Sequence, residues 1–257
     1  MTSEMHRTDI VLATDGTPYQ TWQCEVFAYS MKKVEQQGRY TILVNDSDEE
    51  LTYPTHNRIK ALKKYLQTTD AKYIYMMDPD MIFVGKLEVY PKVGEAIGDP
   101  ARIHWWHEIL AHESILRSRF SRKPHRELAF TQVPWIIRRE ELSAIIERWD
   151  ELIYSVFNDK EVLDLPHWNR WVTTSWCYWL ALAEFGITQR VMQLVNFSAE
   201  DELHAPIIHY PHRMKAGFYK RDYVPWTKIK LPEEHHPVCE HIVIDTINKF
   251  SASKQAV

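Results

Sequence analysis

The first third of the chain switches repeatedly between two hydrophobic periods. Ile10-Val11-Leu12-Ala13-Thr14 is a short apolar run stopped by Asp15-Gly16-Thr17-Pro18, the pattern of a buried strand ending in a turn. Helical spacing follows from residue 19 to about residue 37. Residues 40–44 read as a second strand, closed by an acidic loop over 45–50. Residues 57–66 again carry apolar positions at helical spacing, and 73–77 form a third apolar run. Strand, helix, strand, helix, strand in this order predicts a parallel α/β sheet, whose βα turns are the usual place for ligands.

Beyond residue 100 the pattern loosens. It predicts a strand at 103–106, a basic loop or helix at 117–126 and a strand at 133–137. An amphipathic helix over 140–157 and a second helix over 168–185 follow, the latter stopped by Gly186. The last third reads as loop, with prolines at 206, 211, 225, 232 and 237 and a polar tail after Phe250. No internal repeat breaks the chain, so residues 1–257 read as a single domain.

Composition narrows the chemistry. With 45% hydrophobic and 26% charged residues the chain can bury a substantial core. Only 7 residues are glycine, and neither G-x-G-x-x-G nor G-x-x-x-x-G-K is present, so a glycine-rich phosphate cradle is hard to build. The 10 Trp and 13 Tyr suit an aromatic core or a stacking site. A net charge of −4 supplies no global field for nucleic acid or membrane. Cys24, Cys177 and Cys239 are odd in number and far apart, as reduced thiols would be. No signal peptide and no apolar run of about 18 residues is seen, so the expected setting is the cytoplasm, away from membranes.

Two clusters carry chemistry. Tyr73-Ile74-Tyr75-Met76-Met77-Asp78-Pro79-Asp80 places two carboxylates at the end of an apolar strand. Asp78 and Asp80 read either as ligands for a hard divalent cation, Mn²⁺ or Mg²⁺, or as a turn that ends the strand. Ile207-Ile208-His209-Tyr210 leads into Lys215. His209 would complete the metal shell and Lys215 reach a phosphate; alternatively both belong to a polar loop. Together the two clusters outline a nucleotide-diphosphate-sugar site, in which the metal neutralises the leaving group.

Several segments in order resemble the plant and algal hydroxyproline O-arabinosyltransferases and peptidyl serine α-galactosyltransferases. These are Ala13 to Gln23, Pro54-Thr55-His56-Asn57-Arg58, Asp78-Pro79-Asp80, Val133-Pro134 to Leu142, Trp171 to Gly186 and Ile208-His209-Tyr210. The resemblance implies a glycosyltransferase-A fold of α/β class, with a mostly parallel sheet flanked by helices. It also implies transfer of a pentose or hexose from a UDP-sugar. On that resemblance residues 9–100 form the nucleotide-sugar and metal half. Residues 101–230 form the acceptor half and the loop completing the metal site. Thr14, Asp15 and Tyr19 would line the base and ribose, and Asn57 and Arg58 the sugar or diphosphate. An alternative for Arg58 is a pair with the acidic loop, and for Tyr19 plain packing on the sheet.

The chain departs from the family in two respects, the membrane anchor that its sequence is not expected to carry and one position near the expected base. Relatives carry an acidic residue shortly after the Trp that matches Trp171, where this chain reads Val172-Thr173-Thr174-Ser175. A base is needed to deprotonate an acceptor hydroxyl in an inverting transfer. Asp164 is the expected base, with Glu184 the other nearby carboxylate, read as a surface residue.

For the acceptor, Arg117, Arg119, Arg122, Lys123 and Arg126 form one basic cluster, with Trp105 and Trp106 upstream as stacking platforms. By a narrow margin this favours a hydroxymethylated pyrimidine in DNA as acceptor. A hydroxyproline or serine in a protein is the nearest alternative, and a nucleotide-sugar-binding protein without turnover the third.

Overall fold

The computed structural model describes residues 7–44, 54–101, 112–122, 129–165, 173–211, 214–215, 217–230 and 237–255, with side chains from residue 58 in the second helix. The predicted first half is present: β1 (Thr8–Thr14), α1 (Pro18–Lys33), β2 (Arg39–Val44), α2 (Pro54–Leu66) and β3 (Tyr73–Met77). β2 and β3 both pair with β1 in parallel. The carboxyl ends of β1 and β3 therefore lie side by side, and Asp15 and Asp78 follow them directly. The acidic loop at 45–50 and the strand expected at 103–106 lie outside the described residues.

The sheet continues through β6 (Thr131–Arg138), β5 (Glu95–Pro100) and β7 (Thr188–Val191), giving the order β2-β1-β3-β6-β5-β7. β6 is antiparallel to both β3 and β5, while β5 and β7 are parallel. The carboxyl end of β5 thus shares the edge formed by β1 and β3. At Gly98 the two antiparallel strands come so close that a Cβ would sit 2.6 Å from the Thr131 Cβ, which is why glycine stands there.

α3 (Glu113–Phe120), α4 (Arg139–Phe157), α5 (Lys160–Leu163) and α6 (Thr173–Glu184) follow in the second half. α4 is amphipathic, burying Leu142, Ile145, Ile146, Trp149, Leu152, Ile153 and Val156. α6 is buried on nearly every side and stops at Gly186, whose φ of +71° suits a C-terminal glycine. The abundant aromatics are largely core. Trp135 of β6 stacks on Tyr178 of α6 with centroids 4.5 Å apart, and Trp149 of α4 meets both. Each such pair is worth about 0.5–1.5 kcal/mol beyond its buried area.

Two expectations are corrected here. The last third is not merely loop: α7 (Val238–Gln255) runs through the expected polar tail and buries Cys239, Val243, Ile244, Ile247 and Phe250. Glu184 is not a surface residue: its side chain is 3% exposed and bonded to Arg148 at 2.7 Å. All three cysteines are free and buried. Among the described residues no helix is long and apolar enough to cross a membrane.

Candidate active site

A second, three-stranded sheet builds the centre: β4 (Met81–Phe83), β9 (Ile207–His209) and β8 (Val195–Phe197). β4 starts one residue after Asp80, and its antiparallel register sets Met81 opposite His209. The Tyr210 amide extends the ladder by donating to the Asp80 carbonyl at 3.0 Å. Backbone pairing thus brings two distant segments together. Ligand atoms of Asp78, Asp80 and His209 lie within 4.8 Å of one another.

The three side chains differ in setting. Asp80 is buried, with Oδ1 3.2 Å from His209 Nε2 and Oδ2 accepting a hydrogen bond from the Lys220 ammonium. Burial pushes the Asp80 carboxyl up, but His209 and Lys220 outweigh it and hold it well below the usual carboxylate range. Asp78 is partly exposed and faces Arg58, whose guanidinium lies 3.4 Å from Oδ1. His209 Nδ1 is buried and has no hydrogen-bond partner among the described residues. Two carboxylates and an imidazole form a hard-to-borderline donor set that fits Mg²⁺ or Mn²⁺. The orphaned nitrogen is a cost that a binding centre tolerates more readily than a core does.

The other expected residues are placed as follows. Thr14 is buried at the end of β1 and accepts from the Gly16 amide at 3.1 Å. Asp15 is exposed, and its Oδ1 accepts from the amide and hydroxyl of Thr17 at 2.9 and 2.7 Å, fixing the turn into α1. Burial pushes the Lys220 ammonium down, but Asp80, with smaller contributions from Tyr19 and Asp78, outweighs it and holds it above its usual value. Arg58 pairs with Asp78, and the expected alternative partner, the acidic loop, is outside the described residues. Asn57 belongs to α2, but its side chain is not among those described. Lys215 sits on an exposed turn, its amide donating to Glu240 Oε1 at 2.7 Å. Asp164 is exposed at the C-cap of α5.

Lys220 is the residue that sequence reasoning missed. It lies in a turn after Gly217 rather than at a motif position, and only the fold carries it to Asp80.

Of the basic cluster, three members are described and all three are neutralised. Arg117 pairs with Glu113, Arg119 with Asp159 and Glu161, and Arg122 with Glu151. Lys123, Arg126, Trp105 and Trp106 lie outside the described residues. A cavity of about 780 Å³ instead opens at the carboxyl end of β5, lined by Asp99 and by the β8–β9 connection from Ala199 to His204. That connection starts beside the metal triad: the Ser198 amide donates to the His209 carbonyl at 3.0 Å. Its lining carries Glu200, Asp201 and Glu202 in succession, with His204 3.1 Å from Glu202.

The family profile of the hydroxyproline O-arabinosyltransferase family N-terminal domain matches residues 40–191, more than half of the chain. The chain belongs to this family. A search of curated proteins by sequence finds no match. Solved structures share the fold. The galactosyltransferase LgtC, in complex with donor and acceptor sugar analogs, aligns over 95% of each chain at 12% identity with a TM-score of 0.55. An active-site mutant of LgtC aligns over 95% of each chain at 13% identity, also with a TM-score of 0.55. The apo-form glycosyltransferase GlyE of Streptococcus pneumoniae TIGR4 aligns over 97% of this chain and 63% of its own at 10% identity, with a TM-score of 0.51. The protein is a nucleotide-sugar glycosyltransferase with the glycosyltransferase-A fold.

Proposed function

We propose that this protein transfers a pentose or hexose from a UDP-sugar to a hydroxyl of a peptide or protein, at a centre where Asp78, Asp80 and His209 hold Mn²⁺ or Mg²⁺. The observation that carries the reading is the convergence of these three ligands at the ligand-binding edge of the sheet. The bound ion would neutralise the diphosphate leaving group as a Lewis acid. Around it Thr14, Asp15 and Tyr19 bind the base and ribose, Asn57 and Arg58 orient the sugar, and Lys215 approaches the phosphates from its exposed turn. Asp164 serves as the base. Glu184 is unsuited to that role, because its carboxylate is committed to Arg148.

Charge supports a peptide acceptor over DNA. Acidic partners neutralise Arg117, Arg119 and Arg122, so a polyanion gains little from them. The acidic cavity repels a phosphate backbone and favours an acceptor with positive charge near its hydroxyl. The test offers three acceptors with UDP-sugar and Mn²⁺: a hydroxyproline or serine peptide flanked by lysines, the same peptide flanked by glutamates, and hydroxymethylcytosine DNA. UDP release is expected to be stimulated most by the lysine-flanked peptide, with at least a tenfold lower kcat/KM for its acidic counterpart, about 1.4 kcal/mol of discrimination. Stimulation by DNA alone would overturn the acceptor assignment. Donor binding without turnover on any acceptor would favour a binding protein.

A further inference from the structure

Both carboxylates of the metal centre already face a cation of the chain itself. Arg58 lies 3.4 Å from Asp78, and Lys220 bonds Asp80 on the oxygen that His209 leaves free. The Lys220 and Asp80 side chains are only 11% and 12% exposed, so water screens this contact poorly. A divalent ion added to that arrangement brings two further positive charges against the ammonium, and a dry site does not hold both cations at one carboxylate.

The turn that carries Lys220 is anchored on both sides by packed rings. Phe218 and Tyr223 pack on each other with ring centroids 5.7 Å apart, and Tyr223 meets Trp22 at 4.9 Å. Lys220 lies in the turn between these two anchors, its side-chain stem four carbons long and flexible. Displaced from Asp80, the ammonium would need another anion, and the donor's diphosphate would bring one to the metal centre.

We infer that Lys220 is a resident counter-ion of the metal centre, which leaves Asp80 when the divalent ion binds and turns to the donor diphosphate, so that metal and donor bind cooperatively. This rests on the metal-site reading above. It makes a prediction of opposite signs. Removing the Lys220 charge takes away a competitor for the metal and a partner for the diphosphate. Lys220→Gln is therefore expected to bind Mn²⁺ alone at least about tenfold more tightly than the unaltered protein. At saturating Mn²⁺ the same variant is expected to bind UDP about tenfold more weakly, shrinking the mutual enhancement of the two ligands.

The experiment titrates Mn²⁺ by the electron paramagnetic resonance signal of the free ion, without donor, and then titrates UDP by calorimetry at saturating Mn²⁺. Mn²⁺ binding that is unchanged or weaker in Lys220→Gln overturns the inference while leaving the metal site standing. Absence of Mn²⁺ binding in the unaltered protein, with and without UDP, overturns the site reading and the inference together. A second measurement needs no variant: reductive methylation of lysines, read by peptide mass spectrometry. Lys220 is expected to be protected in the free protein, to react with Mn²⁺ alone, and to be protected again with Mn²⁺ and UDP. Equal modification in all three states contradicts the exchange.

Discussion

Asp80→Asn is expected to lower UDP-sugar turnover by about 10³-fold, the loss of roughly 4 kcal/mol of transition-state stabilisation. The substitution keeps the shape of the side chain but removes the charge that both His209 and the ammonium of Lys220 face. Asp78→Asn is expected to act in the same direction. The two differ in stability: Asp80 is a buried partner of a largely buried ammonium, whereas Asp78 is more exposed and faces Arg58 at 3.4 Å. Thermal unfolding should therefore drop for Asp80→Asn and hardly change for Asp78→Asn. Activity of either variant within a few-fold of the unaltered protein, measured at saturating metal, would remove that residue from the centre.

Arg148→Met carries the largest expected effect on stability. Arg148 of α4 reaches the Glu184 carboxylate of α6 with two bonds, at 2.7 and 3.0 Å, and the Phe120 carbonyl at the end of α3 with a third, at 2.6 Å. One side chain ties three helices together. Its loss leaves the Glu184 carboxylate buried without its cation, at a cost of about 3–5 kcal/mol. In a chain of this size that corresponds to a fall in Tm of roughly 10 °C or more.

The pH dependence gives a second check on the same pair. Burial pushes the Glu184 carboxyl up, but Arg148, the Arg122 amide and neighbouring charge outweigh it and hold it below its usual value. The pair therefore stabilises the fold above the unfolded carboxyl value of about pH 4.3 and loses that contribution as the pH falls through the folded value. In Arg148→Met burial is unopposed by its cation, so Glu184 can protonate in place. The gap in Tm between the two proteins should be widest near neutrality and narrow as the pH approaches about 4. A gap that does not narrow would mean that packing rather than charge dominates.

The sequence made some elements legible and hid others for physical reasons. β3 stands at the predicted bounds because five apolar residues are all buried and are followed by Asp-Pro-Asp, which cannot extend a strand. Asp78, Asp80 and His209 were readable because each ends or follows an apolar run, and register alone brings the two runs together. β5 was not readable, since Glu95, Gly98, Asp99 and Pro100 obscure a strand that the sheet buries through its neighbours. α7 follows a proline-rich stretch, and its helical spacing of Val243, Ile244 and Ile247 was masked by the polar residues between them. Lys220 and the Arg148–Glu184 pair depend on tertiary contact between separate segments, so no local spacing announces them. The basic cluster was legible as charge, but its pairing with Glu113, Glu151, Asp159 and Glu161 was not.

The central claim is a metal-dependent UDP-sugar transfer centre built on Asp78, Asp80 and His209. Its most direct test is UDP formation from a panel of UDP-pentoses and UDP-hexoses, with the lysine-flanked hydroxyl peptide present, before and after removal of divalent ions by EDTA. The account predicts UDP formation from at least one donor, abolished by EDTA and restored by Mn²⁺ or Mg²⁺ in excess. UDP formation that continues unchanged in EDTA would contradict it.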